Sequence, residues 1–180
     1  MKWIKIVGSG LLGVIALCFV TLLIASSRPN ANRMQVAVTI HQRPENVWPW
    51  LYEPDKLKRW VSWLVDVKAE SGPPALGRRS VWVMQDRNNN NAPMEIASRV
   101  ESVEPARKLE VDLSAKEGFT GNAAYVLTDL GNGQTRLESD AKYRFDNWFA
   151  RLMTPVVLLA AEKKMKSDMD HLRALVESGG

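Results

Sequence analysis

Gly8, Gly10 and Gly13 stand in the order G-x-G-x-x-G directly after the run WIKIV. That spacing can let a backbone turn cradle a pyrophosphate at a helix N-terminus. The chemistry also requires a strand, helix, strand unit and a carboxylate about 20 residues further on for the ribose hydroxyl. The chain instead stays apolar to Ala25, continues SSRPNANR and reaches its first acidic residue at Glu45. No nucleotide is expected at Gly8, Gly10 and Gly13. Metal chemistry has little to work with: the two histidines, His41 and His171, are far apart in the chain, and a zinc site needs a cluster of nitrogen and sulfur ligands. No G-x-S-x-G, H-E-x-x-H, Walker or CxxC pattern occurs. Neither a metal nor a cofactor is expected. Proton transfer inside an apolar cavity would need only one buried phenol or carboxyl. Tyr125 and Tyr143 are the catalytic candidates, because Gly121, Ala123, Ser139 and Ala141 leave room around them. The plainer reading is that they close the core with their hydroxyls toward water.

The alternation of apolar and polar residues predicts what must position them. MQVAVTI (34–40) reads as a strand, and residues 43–60 read as one or two short helices opened by Pro44 and Glu45. Pro49 breaks the pattern expected of the first. Six strands follow, SWLVDVKAE, SVWVMQD, MEIASRVESVE, KLEVDLSAK, GNAAYVLTDL and QTRLESDAKYRF, separated by turn material. Asn88 to Asn91 read as a hairpin loop. In the last strand Leu137, Ser139, Ala141, Tyr143 and Phe145 share one face, while charged residues take the other. Residues 147–177 read as an amphipathic helix that Pro155 should kink or restart, with Thr154 as a cap. The prediction is an α+β domain: a seven-stranded antiparallel sheet, two short helices after its first strand, and one long C-terminal helix to cover a face.

Residues 6–25 hold 20 residues without a charge, which as a helix matches the roughly 30 Å core of a bilayer. Residues 1–27 are expected to be a transmembrane anchor, 28–33 a linker and 34–180 the folded domain. Ala25-Ser26-Ser27 would suit signal cleavage, but the apolar run is long for a signal peptide. Cys18 follows Leu17, unlike a lipidation site. Flanking charge is nearly tied between Lys2 with Lys5 and Arg28 with Arg33. The expectation is a single-pass membrane protein whose folded domain is extracytoplasmic. The chain has 24 Lys plus Arg and 20 Asp plus Glu, and those four cations supply the whole excess of +4. The folded domain is neutral in balance, so no nucleic-acid partner is expected.

The run VAVTIHQRPENVWPWLYEPDKLKRW, the strand TRLESDAKYRF and the closing KMKSDMDHLRALVES resemble the helix-grip domains of the START and Bet v 1-like superfamily. These are also called SRPBCC or polyketide cyclase/dehydrase-like proteins. The resemblance covers nearly all of residues 34–180. It implies a curved sheet wrapped around the long C-terminal helix, with a cavity between them for a hydrophobic ligand. Tryptophan and methionine suit the wall of such a cavity. The ligand-binding candidates are Trp60, Trp82, Met84, Tyr125, Tyr143, Trp148, Met165 and Met169, with Trp48 and Trp63 read as packing. The favoured function is a membrane-anchored carrier for a lipid or other hydrophobic small molecule. One alternative is a cyclase- or dehydratase-like enzyme on a polyketide-like substrate, motivated by the resemblance and using Tyr125 or Tyr143. The other is a membrane-tethered interaction domain whose cavity is filled by its own tryptophans.

Overall fold

The computed structural model describes residues 2–69, 72–85, 92–116 and 118–179, with side chains described from Val14 onward. The expected loop at Asn88 to Asn91 lies outside the described residues. The element order is α1 (Lys2–Ser26), β1 (Arg33–Ile40), α2 (Pro44–Val47), α3 (Pro54–Trp60), β2 (Leu64–Ala69), β3 (Arg79–Gln85), β4 (Pro93–Glu104), β5 (Lys108–Ala115), β6 (Phe119–Gly131), β7 (Gln134–Phe145) and α4 (Trp148–Glu177). All seven strands form one antiparallel sheet in the order β1-β7-β6-β5-β4-β3-β2. The strands β2 to β7 are a meander, and β1 closes it beside β7. The seven-stranded antiparallel sheet and long C-terminal helix are those of a helix-grip domain.

Alternation decides what each strand buries. Met34, Val36, Val38 and Ile40 of β1 point into the core, as do Leu137 and Ala141 of β7. On the outward side Arg33 donates through Nε to Asp140 Oδ1 at 2.7 Å, which fastens β1 to its neighbour. The β6–β7 hairpin turns through Gly131, Asn132 and Gly133, all at positive φ, a conformation that glycine and asparagine accept readily.

The short helices carry the chain from one sheet edge to the other. Proline has no amide to donate, and with Pro49 in place the first helix stops at Val47 and continues as a 3₁₀ turn, Trp48–Leu51. Trp48, Trp50, Leu51, Leu57 and Trp60 are buried there. The indole of Trp60 donates to the Trp50 carbonyl at 2.9 Å.

The closing helix α4 is uninterrupted, contrary to the break expected at Pro155. Asn147 caps it by accepting from the Phe149 amide at 2.7 Å. Thr154 does not act as a cap: its hydroxyl donates back to the Ala150 carbonyl at 3.0 Å. Pro155 removes one amide from the ladder, while Leu152, Thr154 and Leu158 are buried on both sides of it and hold the helix together. Farther along, Met169, Leu172 and Val176 enter the main core. At the C-terminal end Glu177 accepts from the His41 backbone N–H at 2.8 Å and ties α4 to the end of β1.

The helix α1 packs along α4. The membrane span expected over residues 6–25 is not found among the described residues, where no helix is long and apolar enough to cross a membrane. The described side chains of that run begin at Val14, fewer than the roughly 20 residues a bilayer core requires. The side-chain surroundings of Gly8, Gly10 and Gly13 before residue 14 lie outside the described residues. Between Val14 and Ile24, however, α1 leaves Ile15, Leu17, Phe19 and Val20 largely exposed.

Two predictions follow from these contacts. A Cβ on Gly121 would stand 2.9 Å from Cδ1 of the Tyr143 ring and 3.0 Å from the Lys142 carbonyl oxygen. Gly121→Ala should therefore destabilise the domain by about 1–3 kcal/mol, read by denaturant unfolding, and shift the Tyr143 ring resonances; an unchanged midpoint would show that the ring gives way freely. Second, Asp140 lies below its ordinary pKa, chiefly through the Arg33 hydrogen bond, and Glu177 is lowered chiefly by the His41 amide. The unfolded chain thus binds more protons, so this stabilisation is complete above about pH 4.5 and drains away as pH falls through the lower folded values. Asp140→Asn should flatten the loss of melting temperature between pH 5 and pH 3; a loss as steep as in the parent protein would remove Asp140 from the acid response.

Candidate ligand cavity

Where β6 meets β7, the two inward tyrosines face small residues, Tyr143 opposite Gly121 and Tyr125 opposite Ser139, with Ala123 opposite Ala141 between them. The small partners leave a hollow in the concave face. It is an inner chamber of about 120 Å³, whose lining includes Trp82, Met84, Ile96, Val111, Phe119, Ala123, Tyr125, Ser139, Tyr143 and Met165. An outer chamber of about 440 Å³ adjoins it, lined among others by Met34, Trp63, Met94, Phe145, Val157, Leu158, Ala161, Lys164 and Asp168. Val61, Met84, Ile96, Phe119, Tyr143 and Met165 line both, so the two chambers are neighbours. The size lies within the roughly 300–1,000 Å³ usual for small-molecule sites.

Five of the eight sequence candidates meet here: Trp82, Met84, Tyr125, Tyr143 and Met165. The others stand elsewhere. Trp60 is 1% exposed and packed in the core, and Met169 is fully buried one helical turn beyond Met165. Trp148 is 65% exposed and packs edge-on against Phe149. Trp63, read from sequence as packing, instead lines the outer chamber. The chamber is open and is not filled by tryptophan side chains.

Polar groups occupy two places in this apolar lining. At the outer chamber, Asp168 is buried and accepts from the Ser62 hydroxyl at 2.7 Å and from the Ser62 amide at 3.4 Å. Lys164 lies 3.5 Å from the Asp168 carboxylate, donates to the Ser62 hydroxyl and sits 4.7 Å above the Trp63 ring. The buried carboxylate is thus paired and hydrogen-bonded, as its burial requires. At the inner end, burial pushes the Tyr125 phenol well above its ordinary pKa; Tyr143 and Asp168 add to this, and the Ser139 hydroxyl opposes it. Burial also raises Tyr143. Both phenols remain protonated at neutral pH, fit to donate a hydrogen bond and poor as bases. Ser139 Oγ is buried with no hydrogen-bond partner of normal geometry, although the Tyr125 hydroxyl is near enough to feel it.

The sequence carried a signal for the mouth. Asp168 falls on the same helical stripe as Leu158, Ala161, Met165 and Leu172, so an acid interrupts an apolar face. Among the described residues no group of three or more His, Cys, Asp or Glu could hold a metal ion. A wider depression of about 760 Å³ carries Arg79, Arg99, Asp112, Lys142 and Arg144 in its lining. It is charged, and Arg99 is already paired with Glu101 at 2.6 Å.

Comparisons with known proteins agree with this geometry. No curated protein matches the chain. Among solved structures, protein CV1439 from Chromobacterium violaceum is 14% identical and superposes with a TM-score of 0.66 over 81% of this chain and 97% of its own. Protein NE0264 from Nitrosomonas europaea is 15% identical, with a TM-score of 0.65 over 85% of this chain and 99% of its own. Ara h 8.0201 shares the fold at 8% identity, with a TM-score of 0.63 over 81% of this chain and 97% of its own. The family model described as polyketide cyclase / dehydrase and lipid transport matches residues 32–177, and the chain therefore belongs to that family, within the SRPBCC, Bet v 1-like superfamily.

Proposed function

We propose that this protein is a membrane-tethered carrier that holds a lipid or other hydrophobic small molecule between the sheet and α4. The observation that carries the reading is the pair of adjoining apolar chambers, an outer one of about 440 Å³ and an inner one of about 120 Å³. The family description, which includes lipid transport, supports it. The tether is α1: its 20-residue uncharged run and the exposed Ile15, Leu17, Phe19 and Val20 suit a lipid environment better than water. The reading places the folded domain on the extracytoplasmic side. Val156, Val157 and Leu159 of α4 are exposed close to the outer chamber, which Val157 itself lines. A greasy ligand would then pass between bilayer and cavity over apolar surface.

The cyclase-like alternative draws on the protonated phenols of Tyr125 and Tyr143, which could polarise a carbonyl. The described lining of the inner chamber includes no carboxylate or imidazole to move a proton, and Asp168 at the outer chamber is engaged by Ser62 and Lys164. Those features favour binding without turnover.

The test is native mass spectrometry of the full chain released from gentle detergent, followed by extraction of what travels with it. The parent protein should carry a hydrophobic mass, and Ala161→Trp, which places an indole in the outer chamber, should lose at least tenfold of it while melting at a similar temperature. An empty parent protein, still empty after incubation with a mixed lipid extract, would end the carrier reading. The tether has its own check: alkaline carbonate washing should leave the full chain in the membrane pellet and release a variant with Leu17 and Val20 changed to Asp. Release of the parent chain by the same wash would remove the tether.

A further inference from the structure

We propose that the inner chamber receives one neutral oxygen of the ligand, a carbonyl or hydroxyl at the leading end of an otherwise apolar molecule, hydrogen-bonded by Ser139 with Tyr125. The inference rests on the carrier reading and narrows its ligand class. It begins from Ser139 Oγ, the one buried side-chain polar atom among the described residues without a hydrogen bond of normal geometry, with the Tyr125 hydroxyl close beside it. The residue is 2% exposed and lines the inner chamber. A buried hydroxyl left unpaired costs free energy that a carbon side chain of the same size would avoid. A ligand oxygen seated beside it removes that cost, because serine can both donate and accept.

Placement selects the kind of oxygen. Tyr125 faces Ser139 across the β6–β7 register, and Tyr143 lines both chambers nearer the mouth. All three offer hydroxyl protons. The described side chains lining the inner chamber include no cation, whereas Lys164 lines only the outer one. An ionised carboxylate at the deep end would be stripped of water without a counter-charge. A carbonyl or alcohol meets the donors at no such cost. A hydrocarbon would fill the volume and leave Ser139 unpaired. Around this polar end stand Met84, Ile96, Phe119 and Met165, which suit a flat or chain-like apolar body.

Three probes of one ring system separate the cases: naphthalene, 2-acetylnaphthalene and 2-naphthoate, titrated against the full chain in detergent by calorimetry. The ketone should bind most tightly, roughly tenfold better than naphthalene, the usual return of one well-made hydrogen bond, and naphthoate should bind most weakly. Ser139→Ala should abolish the ketone's advantage over naphthalene. Because it removes an unpaired hydroxyl, the ligand-free variant should melt no lower than the parent protein. Tyr125→Phe should erode the same preference. With a ¹³C-labelled carbonyl, the bound ketone resonance should move downfield in the parent protein and return in Ser139→Ala. Equal affinity for ketone and naphthalene, tightest binding of naphthoate, or a preference that survives both substitutions would overturn the assignment while leaving the carrier reading standing. Failure of all three probes, together with an empty protein in the mass measurement, would overturn both.

Discussion

One helix has to close a sheet that it is too narrow to cover. Seven strands about 4.8 Å apart span roughly 29 Å, while an α-helix with its side chains is about 10 Å wide. Most of the concave face therefore needs something other than α4, and the chain meets the shortfall in two ways. On the way from β1 to β2 it lays down α2, the 3₁₀ turn and α3, whose Trp48, Trp50, Leu51, Leu57 and Trp60 fill the core there. Elsewhere the face is left uncovered, and that gap is the cavity. The hollow is thus a consequence of the architecture, and local sequence needs only to shape it.

That constraint divides α4 into two working halves. The C-terminal half is committed to stability: Met169, Leu172 and Val176 are buried, and Glu177 reaches the His41 amide at the end of β1. The middle stands off the sheet, so Ala161, Lys164 and Met165 line space instead of filling it. Asp168 lies at the boundary and is held by Ser62, in the connection between α3 and β2. A buried carboxylate is costly unless it is paired and hydrogen-bonded, and Ser62 with Lys164 meets both conditions. This clasp joins α4 to the short-helix segment across the outer chamber, so it helps to fix the width of the opening as well as satisfying a charge.

The fold was largely legible because alternation is a local property. Leu137, Ser139, Ala141, Tyr143 and Phe145 share one face of any extended strand, whatever packs against it, and the structure places them on the concave side as expected. The candidate site was legible only where strand position alone decides it. Tyr125 and Tyr143 could be found from small residues on their own strands, and the register sets Ser139 opposite Tyr125 and Gly121 opposite Tyr143. Met165 and Met169 lie one turn apart on the same stripe, yet one lines the cavity and the other is sealed in the core, since α4 leaves the sheet between them. Trp60 and Trp63 are close in the chain, but one ends a helix facing inward and the other follows it at the mouth. No periodicity carries such information. Asp168, an acid within an apolar stripe, was a signal that the sequence reading missed, and its meaning depended on Ser62, 106 positions away in the chain.

The inner chamber also bears on the proposed carrier reading. Burial that raises a phenol's pKa keeps it protonated at neutral pH, so Tyr125 and Tyr143 carry the proton that a hydrogen bond to a ligand oxygen needs. A reaction that passes a proton from substrate to protein would need an opposing base within hydrogen-bond reach, and the carboxylate nearest in function, Asp168, is already spoken for by Ser62 and Lys164. Moving a base into the chamber would place a charge among Met84, Ile96, Phe119 and Met165, where its desolvation would be costly. Low polarity around two protonated hydroxyls therefore fits the proposed recognition of a neutral oxygen.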